Sequence, residues 1–132
     1  MRRLFTLDLH DYDENWKHDL RPTVRGIIEK DGKLALIHKR EFDYYAFPGG
    51  GIDEGETYEE ALIREVKEET GLIVVPESIT EYGGALRLNK STRFPETVFE
   101  QENFHYRCRV LDEVGEQNLD EEEAEEGFDL VF

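Results

Sequence analysis

The stretch that most restricts what this chain can become runs from Gly50 to Leu72, GGIDEGETYEEALIREVKEETGL. At 3.6 residues per turn, Tyr58 to Thr70 predicts a helix on which Glu65, Glu68 and Glu69 lie within about 100° of arc. Leu62, Ile63 and Val66 occupy the adjacent stripe and predict a core-facing side. Thr57 supplies an N-cap, Glu60 three residues on completes a capping box, and Gly71 supplies the stop. Crowding acids on one face is unfavourable by about 0.2–0.5 kcal/mol for each like-charge i,i+4 pair. A hard divalent cation reverses that sign, because it takes carboxylate oxygens, keeps several waters and draws on phosphates for the remaining coordination. Arg64, four residues from both Glu60 and Glu68, can hold carboxylates in place as a fork of donors. Gly49, Gly50, Gly51 and Gly55 predict a loop that brings backbone close to a ligand or ion. The competing reading is a capped amphipathic helix with a solvated acidic face.

Gly50, Glu56, Arg64-Glu65-Val66, Glu68-Glu69 and Gly71-Leu72, at these separations, resemble the Nudix box of the Nudix hydrolases. The resemblance implies an α/β fold, a Nudix-type α/β/α sandwich with a mixed sheet. It also implies a hydrolase dependent on Mg²⁺, with Mn²⁺ as the alternative ion, that cuts a diphosphate linkage in a nucleoside diphosphate derivative. By position in the box, Glu65, Glu68 and Glu69 are the implied metal ligands, joined by the backbone carbonyl of Gly49. Glu65 is also the implied base, or the group that orients it. Glu56 and Arg64 are implied to hold that arrangement, which tunes how ligands meet an ion. A downstream loop often supplies a further acid in this family. Glu121, Glu122, Glu123, Glu125 and Glu126 are the choices here, with a solvated acidic loop as the alternative.

Arg25, Lys39 and Arg40 flank strands entering the glycine run and are candidates for phosphate contact, against ordinary surface charge. Phe47, with Tyr12, Trp16 and Tyr44, could stack a base, although aromatics in such strands more often serve a core. The four histidines, at 10, 18, 38 and 105, show no ligand spacing. Beyond the box, Leu86 stands where the ADP-ribose subgroup has proline, no tyrosine falls at the dinucleoside polyphosphate position, and the coenzyme A signature is absent. Nucleoside triphosphates and nucleotide sugars remain open. Two other classes compete: a Nudix-fold sensor that binds a nucleotide without cutting it, and a passive acidic interaction protein.

The 132 residues fit one domain over 1–132 with a sizeable core. No run approaches the ~20 apolar residues of a membrane span, and the N-terminus leads into no signal-peptide core, so a cytoplasmic location and no membrane partner are expected. Cys108 is alone and reads as a small core residue. The formal charge of −16 argues against a nucleic-acid polymer and leaves a small nucleotide substrate as the expected partner. Ten of the acids lie between Asp112 and Asp129, where no lysine or arginine occurs.

Along the chain, strands are predicted at Leu4–Leu9 on an edge, Thr23–Glu29, Lys33–His38 after an Asp31-Gly32 hairpin turn, and Tyr44–Pro48. After the helix come Leu72–Val75, Gly83–Asn89, Thr97–Asp112 and Phe128–Phe132. His10–Leu20 and Glu113–Gly127 are predicted loops. One departure from the family stands out: the helix expected after the final strand is absent, because the sequence stops at Phe132. The face of the sheet it would cover then needs another subunit, the N-terminal segment or further chain. An exposed apolar face favours association. Light scattering is expected to show a homodimer or larger species, and a clean monomer that binds no apolar dye would count against this.

Overall fold

The structure is a computed structural model that describes residues 1–132. Its organising helix, α1, spans Tyr58–Thr70, the boundaries that the periodicity predicts. Thr57 accepts from the Glu60 backbone N–H while the Glu60 carboxylate accepts from Thr57 N–H, so both halves of the capping box are made. At the other end Gly71 turns left-handed (φ 77°) and its N–H donates to the Lys67 carbonyl.

The principal sheet is built on β10 (Thr97–Cys108). It pairs antiparallel with β9 (Thr80–Lys90), and β9 pairs parallel with the edge strand β1 (Arg3–Asp8). On its other side β10 runs parallel first to β2 (Lys17–Leu20) and then to β3 (Thr23–Lys30). β3 pairs antiparallel with the short β4 (Lys33–Leu34) through Asp31 (φ 53°) and Gly32 (φ 76°), the two left-handed residues of the expected hairpin turn. It also pairs antiparallel with β7 (Gly49–Gly51), in the register Arg25 to Gly49, Val24 to Gly50 and Thr23 to Gly51.

A second sheet joins β12 (Phe128–Val131), β5 (Leu36–Lys39) and β6 (Tyr44–Ala46), all antiparallel. A two-stranded ladder joins β8 (Leu72–Val74) to β11 (Val110–Val114). Pro76 ends β8 and opens a single 3-10 turn. The fold is the expected α/β mixed-sheet sandwich.

Alternation along β10 separates two environments. Tyr106 and Cys108 join Leu62, Val66, Val24, Ile28, Leu72 and Val74 in the core between the sheet and α1. Burial in that core pushes the Cys108 thiol up to about 11, which suits a packing residue better than a nucleophile. The other face presents Gln101, Asn103, His105 and Arg107, with Phe5 (60 % exposed), Leu34 and Tyr82 open to solvent beside them. The N-terminal segment extends the sheet at its edge as β1, leaving these side chains exposed.

Three sequence expectations are corrected. Lys17–Leu20, predicted as loop, is β2, drawn into extended form by the exposed end of β10. The glycine run is a strand, β7, because β3 offers it a free edge. The strand predicted over Thr97–Asp112 breaks after Cys108 and resumes as β11, which runs on to Val114. Within the predicted acidic loop 113–127, Glu121–Glu126 is a short helix, α2, so a second helix does exist, before the last strand. Asp120 caps α2, Glu123 returns the capping-box bond, and Gly127 (φ 76°) stops it. That pattern, Asp-x-x-Glu closed by Gly, was visible in the sequence but hidden in a run of acids.

Gly71 packs so closely that an added Cβ would lie 2.1 Å from the Gly115 carbonyl oxygen. With the left-handed φ, Gly71→Ala should destabilise the fold by roughly 1–3 kcal/mol. Denaturant unfolding measures this; a loss below about 0.5 kcal/mol would mean that the cap and the 115 loop are not tightly joined.

Candidate active site

The acidic face of α1 meets the glycine strand β7 edge-on. Glu69 is only 5 % exposed although its side chain is an ionisable carboxyl. Its Oε2 accepts from the Gly49 backbone N–H at 3.2 Å, the one hydrogen bond its carboxylate makes. Helical geometry explains the burial: at 100° per residue Glu69 lies only about 20° from Leu62, on the border between the acidic and apolar stripes. Burial pushes its carboxyl up to about 8, and Glu65 and Glu123 push the same way, while the Gly49 N–H and the Arg25 charge oppose it.

Glu65 lies under Gly50, where an added Cβ would fall 2.6 Å from its Oε2. A side chain at Gly50 would push the Glu65 carboxylate aside, whereas Gly49, at φ 152° against the β3 backbone, leaves no room for one at all. Burial raises the Glu65 carboxyl, with Arg64 opposing and Glu68 and Glu123 adding to the rise. Glu68 is more open and stands at the rim.

Arg64 ties the cluster together. Its Nε and Nη2 donate to the two oxygens of Glu56 at 2.7 and 2.8 Å, a bidentate pair. Nη1 donates to Glu65 at 2.9 Å and Glu68 at 3.2 Å, and Nη2 donates to the Gly51 carbonyl at 3.1 Å. Asp53 approaches Nε at 3.3 Å, and its N–H donates to Glu56. The guanidinium and that N–H hold the Glu56 carboxyl down to about 2, while the carboxylates raise Arg64 further still.

The ligand set that the box implies is therefore gathered but not closed. Glu65, Glu68 and Glu69 share one side of α1, yet no three carboxylates converge into a cage. The Gly49 carbonyl accepts from Arg25 Nη1 at 3.3 Å. The donor set still fits a hard divalent ion: it is all oxygen, and the buried Glu69 carboxylate has no cation paired with it.

Among Glu121, Glu122, Glu123, Glu125 and Glu126, all on α2, one stands apart electrostatically. Glu123 is the acid of that segment whose charge bears on Glu65 and Glu69, and Glu68 acts back on it. Its own carboxyl is raised chiefly by burial, with the Asp120 N–H and the Lys39 charge opposing and the Asp120 and Glu68 carboxylates adding to the rise. The segment is held there by bonds that no motif announces. Asn118 N–H donates to the Glu68 carbonyl at 2.7 Å, and Gln117 Nε2 donates to the carbonyls of Glu69 and Phe128 at 2.7 and 2.8 Å. They satisfy carbonyls at the C-terminal end of α1, which the helix itself leaves open.

The sequence candidates for substrate contact are already engaged. Arg25 donates to the Phe47 carbonyl as well as to Gly49, so it braces the entry into β7. Lys39 Nζ sits over the Phe128 and Tyr44 rings at 4.8 and 5.1 Å. Arg40 pairs with Asp129 at 2.8 Å. The Phe47 ring meets His105 edge-on at 5.8 Å. Tyr12 donates to Asp8, and both it and Trp16 lie in the connection between β1 and β2. His18 and His38 pair with Glu100 and Asp43, away from the box.

Fold and site together define an α/β sandwich with an oxygen-only acidic centre where a glycine strand meets a capped helix. The NUDIX domain family matches residues 19–130, and the chain belongs to the Nudix family. It is similar to the ADP-ribose pyrophosphatase of Methanocaldococcus jannaschii, 55 % identical over 53 residues, 38 % of this chain and 31 % of that one. It is also similar to the RNA pyrophosphohydrolase of Campylobacter jejuni, 40 % identical over 75 residues, 52 % and 47 % of the two chains. The matched segments thus span a third to a half of these curated relatives. Among solved structures, a MutT NUDIX hydrolase from Burkholderia pseudomallei superposes with a TM-score of 0.59 at 21 % identity, covering 76 % of this chain and 75 % of that one, a likeness of fold. No helix is long and apolar enough to cross a membrane.

Because Glu56 ionises more readily folded than unfolded, its contribution is present above the usual carboxylate pKa near 4.5 and is lost as pH falls toward 2. Glu56→Gln should lower thermal stability at pH 7 and flatten the decline between about pH 4.5 and 2. Melting curves across that range test it; parallel curves for variant and parent would remove Glu56 from the ion-pair account.

Proposed function

We propose that this chain is a divalent-cation-dependent hydrolase of a diphosphate linkage in a nucleoside diphosphate derivative, and that residues 1–132 act as one catalytic domain. The observation that carries the reading is the buried Glu69 carboxyl, lodged beneath Gly49 beside Glu65, which makes no salt bridge and feels the Arg25 charge only from a distance. An isolated buried carboxylate is costly unless something pairs with it. Its companions in this place are oxygens suited to a hard ion.

Glu65, Glu68 and Glu69 would hold the ion, with the Gly49 carbonyl as a further oxygen once Arg25 yields it. Mg²⁺ is the expected species and Mn²⁺ the alternative. When bound, such an ion neutralises phosphate charge and lowers the pKa of water. Glu65, whose carboxyl burial makes more basic than an exposed one, is the group we assign to accept the proton of an attacking water. That water's oxygen forms the new bond to phosphorus, and the bridging P–O bond breaks. Arg64 and Glu56 hold Glu65 and Glu68 at their positions. Glu123, carried in by α2, is the further acid we assign to the site, acting beside Glu68. Lys39, whose charge reaches Glu123, is the remaining candidate for a phosphate contact among those named from sequence, since Arg25 and Arg40 hold protein oxygens.

Ion neutralisation of developing charge is worth several kcal/mol, at about 1.36 kcal/mol per tenfold in rate. Glu68→Gln and Glu69→Gln should therefore each slow turnover roughly 10²–10⁴-fold, and chelation should abolish it. A panel of nucleoside triphosphates, nucleotide sugars and ADP-ribose with Mg²⁺, followed by phosphate release and chromatography, provides the measurement. Turnover within threefold of the parent in both variants would defeat the ligand assignment. Binding without cleavage anywhere in the panel would favour the sensor class.

A further inference from the structure

An open cleft of about 520 Å³ borders Gly51, at the end of β7 that leads away from Glu69. Arg21, Arg87 and Arg93 line it, together with one acid, Asp19, and one aromatic ring, Phe99. In a chain with 32 acidic and 16 basic side chains, three guanidiniums facing one carboxylate invert the local charge. They come from three distant places: the entry to β3, the middle of β9, and the connection between β9 and β10.

Their hydrogen bonding sets them apart from the other arginines near the site. Arg64 uses Nε and both terminal nitrogens on protein oxygens, and Arg25 uses Nη1 in the same way. Arg21 and Arg87 donate only through Nε, to Asp19 at 3.1 Å and Asn89 at 2.9 Å. Arg93 makes no side-chain hydrogen bond and lies over Phe94 at 5.1 Å. The terminal nitrogens of all three are free to donate, and a guanidinium binds phosphate through paired, geometrically matched donors.

The cleft's position gives that capacity a use. Gly50 lies against the Glu65 carboxylate, and Gly51, one residue on, forms the cleft wall. Gly50 faces the acids and Gly51 faces the cleft on the other side of the sheet. β7 pairs only with β3, so a polyphosphate held at the acids would reach the cleft by passing over the unpaired edge of β7.

We propose that this cleft seats a phosphate of the substrate beyond the diphosphate held at the acidic centre, so that the chain selects substrates with three or more linked phosphates, such as a nucleoside 5′-triphosphate. ADP-ribose and nucleotide sugars, with two phosphates, leave the cleft unfilled. The inference rests on the diphosphate-hydrolase reading for its catalytic meaning, but the anion binding itself does not.

The test pairs binding with kinetics. Calorimetry on the full chain without divalent metal, using inorganic tripolyphosphate and pyrophosphate as probes, should show tighter binding of the former. Arg87→Ala combined with Arg93→Ala should weaken tripolyphosphate at least tenfold. With Mg²⁺, the same variant should raise KM for a nucleoside triphosphate at least tenfold with kcat within threefold, while KM for ADP-ribose stays within twofold. The Arg87→Lys and Arg93→Lys pair, which keeps both charges, should recover part of the loss and serves if the alanine variant folds poorly. Equal KM rises for both substrates, tripolyphosphate binding indifferent to the arginines, or a parent chain that prefers ADP-ribose would each overturn the proposal. Arginine-dependent tripolyphosphate binding in a chain that cleaves nothing would sink the hydrolase reading and leave the cleft standing.

Discussion

A carboxylate almost cut off from water, Glu69 beneath the Gly49 N–H, is the constraint to which the surrounding structure answers. Ionising a carboxyl in that place is expensive, the single backbone donor offsets only part of the cost, and the group holds its proton up to about pH 8. Burial at this point requires a strand thin enough to lie against the helix, and β7 meets the need with Gly49 and Gly50. Side chains at Gly49 or Gly50 would collide with β3 or with Glu65. The ladder to β3 keeps that strand in place, and Val24 and Ile28 anchor β3 in the core shared with Leu62 and Val66. The fold therefore positions the acid through a rigid sheet.

Arg64 solves the neighbouring problem. Four carboxylates, from Asp53, Glu56, Glu65 and Glu68, surround one guanidinium, and its planar fork meets several at once where a lysine could not. The pairings differ in kind. Glu56 is held by two short bonds and a backbone N–H and stays strongly acidic, whereas burial dominates at Glu65 and raises it. Two acids nine residues apart are thus tuned in opposite directions around a common cation, an arrangement that separates a positioning carboxylate from one able to take a proton.

Charge is distributed to the same end. The acidic C-terminal segment reads as a solvated loop by composition, yet Gln117 and Asn118 fasten it to open carbonyls of α1 and bring Glu123 toward the box. The opposite sheet face carries arginines, His105 and uncovered apolar side chains. An excess of acid over the whole chain therefore coexists with a basic lining in the cleft beside Gly51, where an anion would otherwise be repelled.

The amino-acid order alone determined whatever depends on near neighbours: the limits of α1, its capping box, the Gly71 stop, the Asp31-Gly32 turn and the box that places the chain in its family. These rest on hydrogen bonds and periodicities spanning a few residues, so the local chemistry carries them. It also held the signal for α2, Asp120 to Glu123 closed by Gly127, which the surrounding acids concealed. Only the tertiary structure decided that the glycines form a strand, since that needed the free edge of β3. It alone decided which downstream acid approaches the box, that Arg25 and Arg40 serve protein oxygens, and that Arg21, Arg87 and Arg93 meet. Each of these depends on pairing between segments far apart in the chain, and no local pattern encodes which partners a folded sheet brings together.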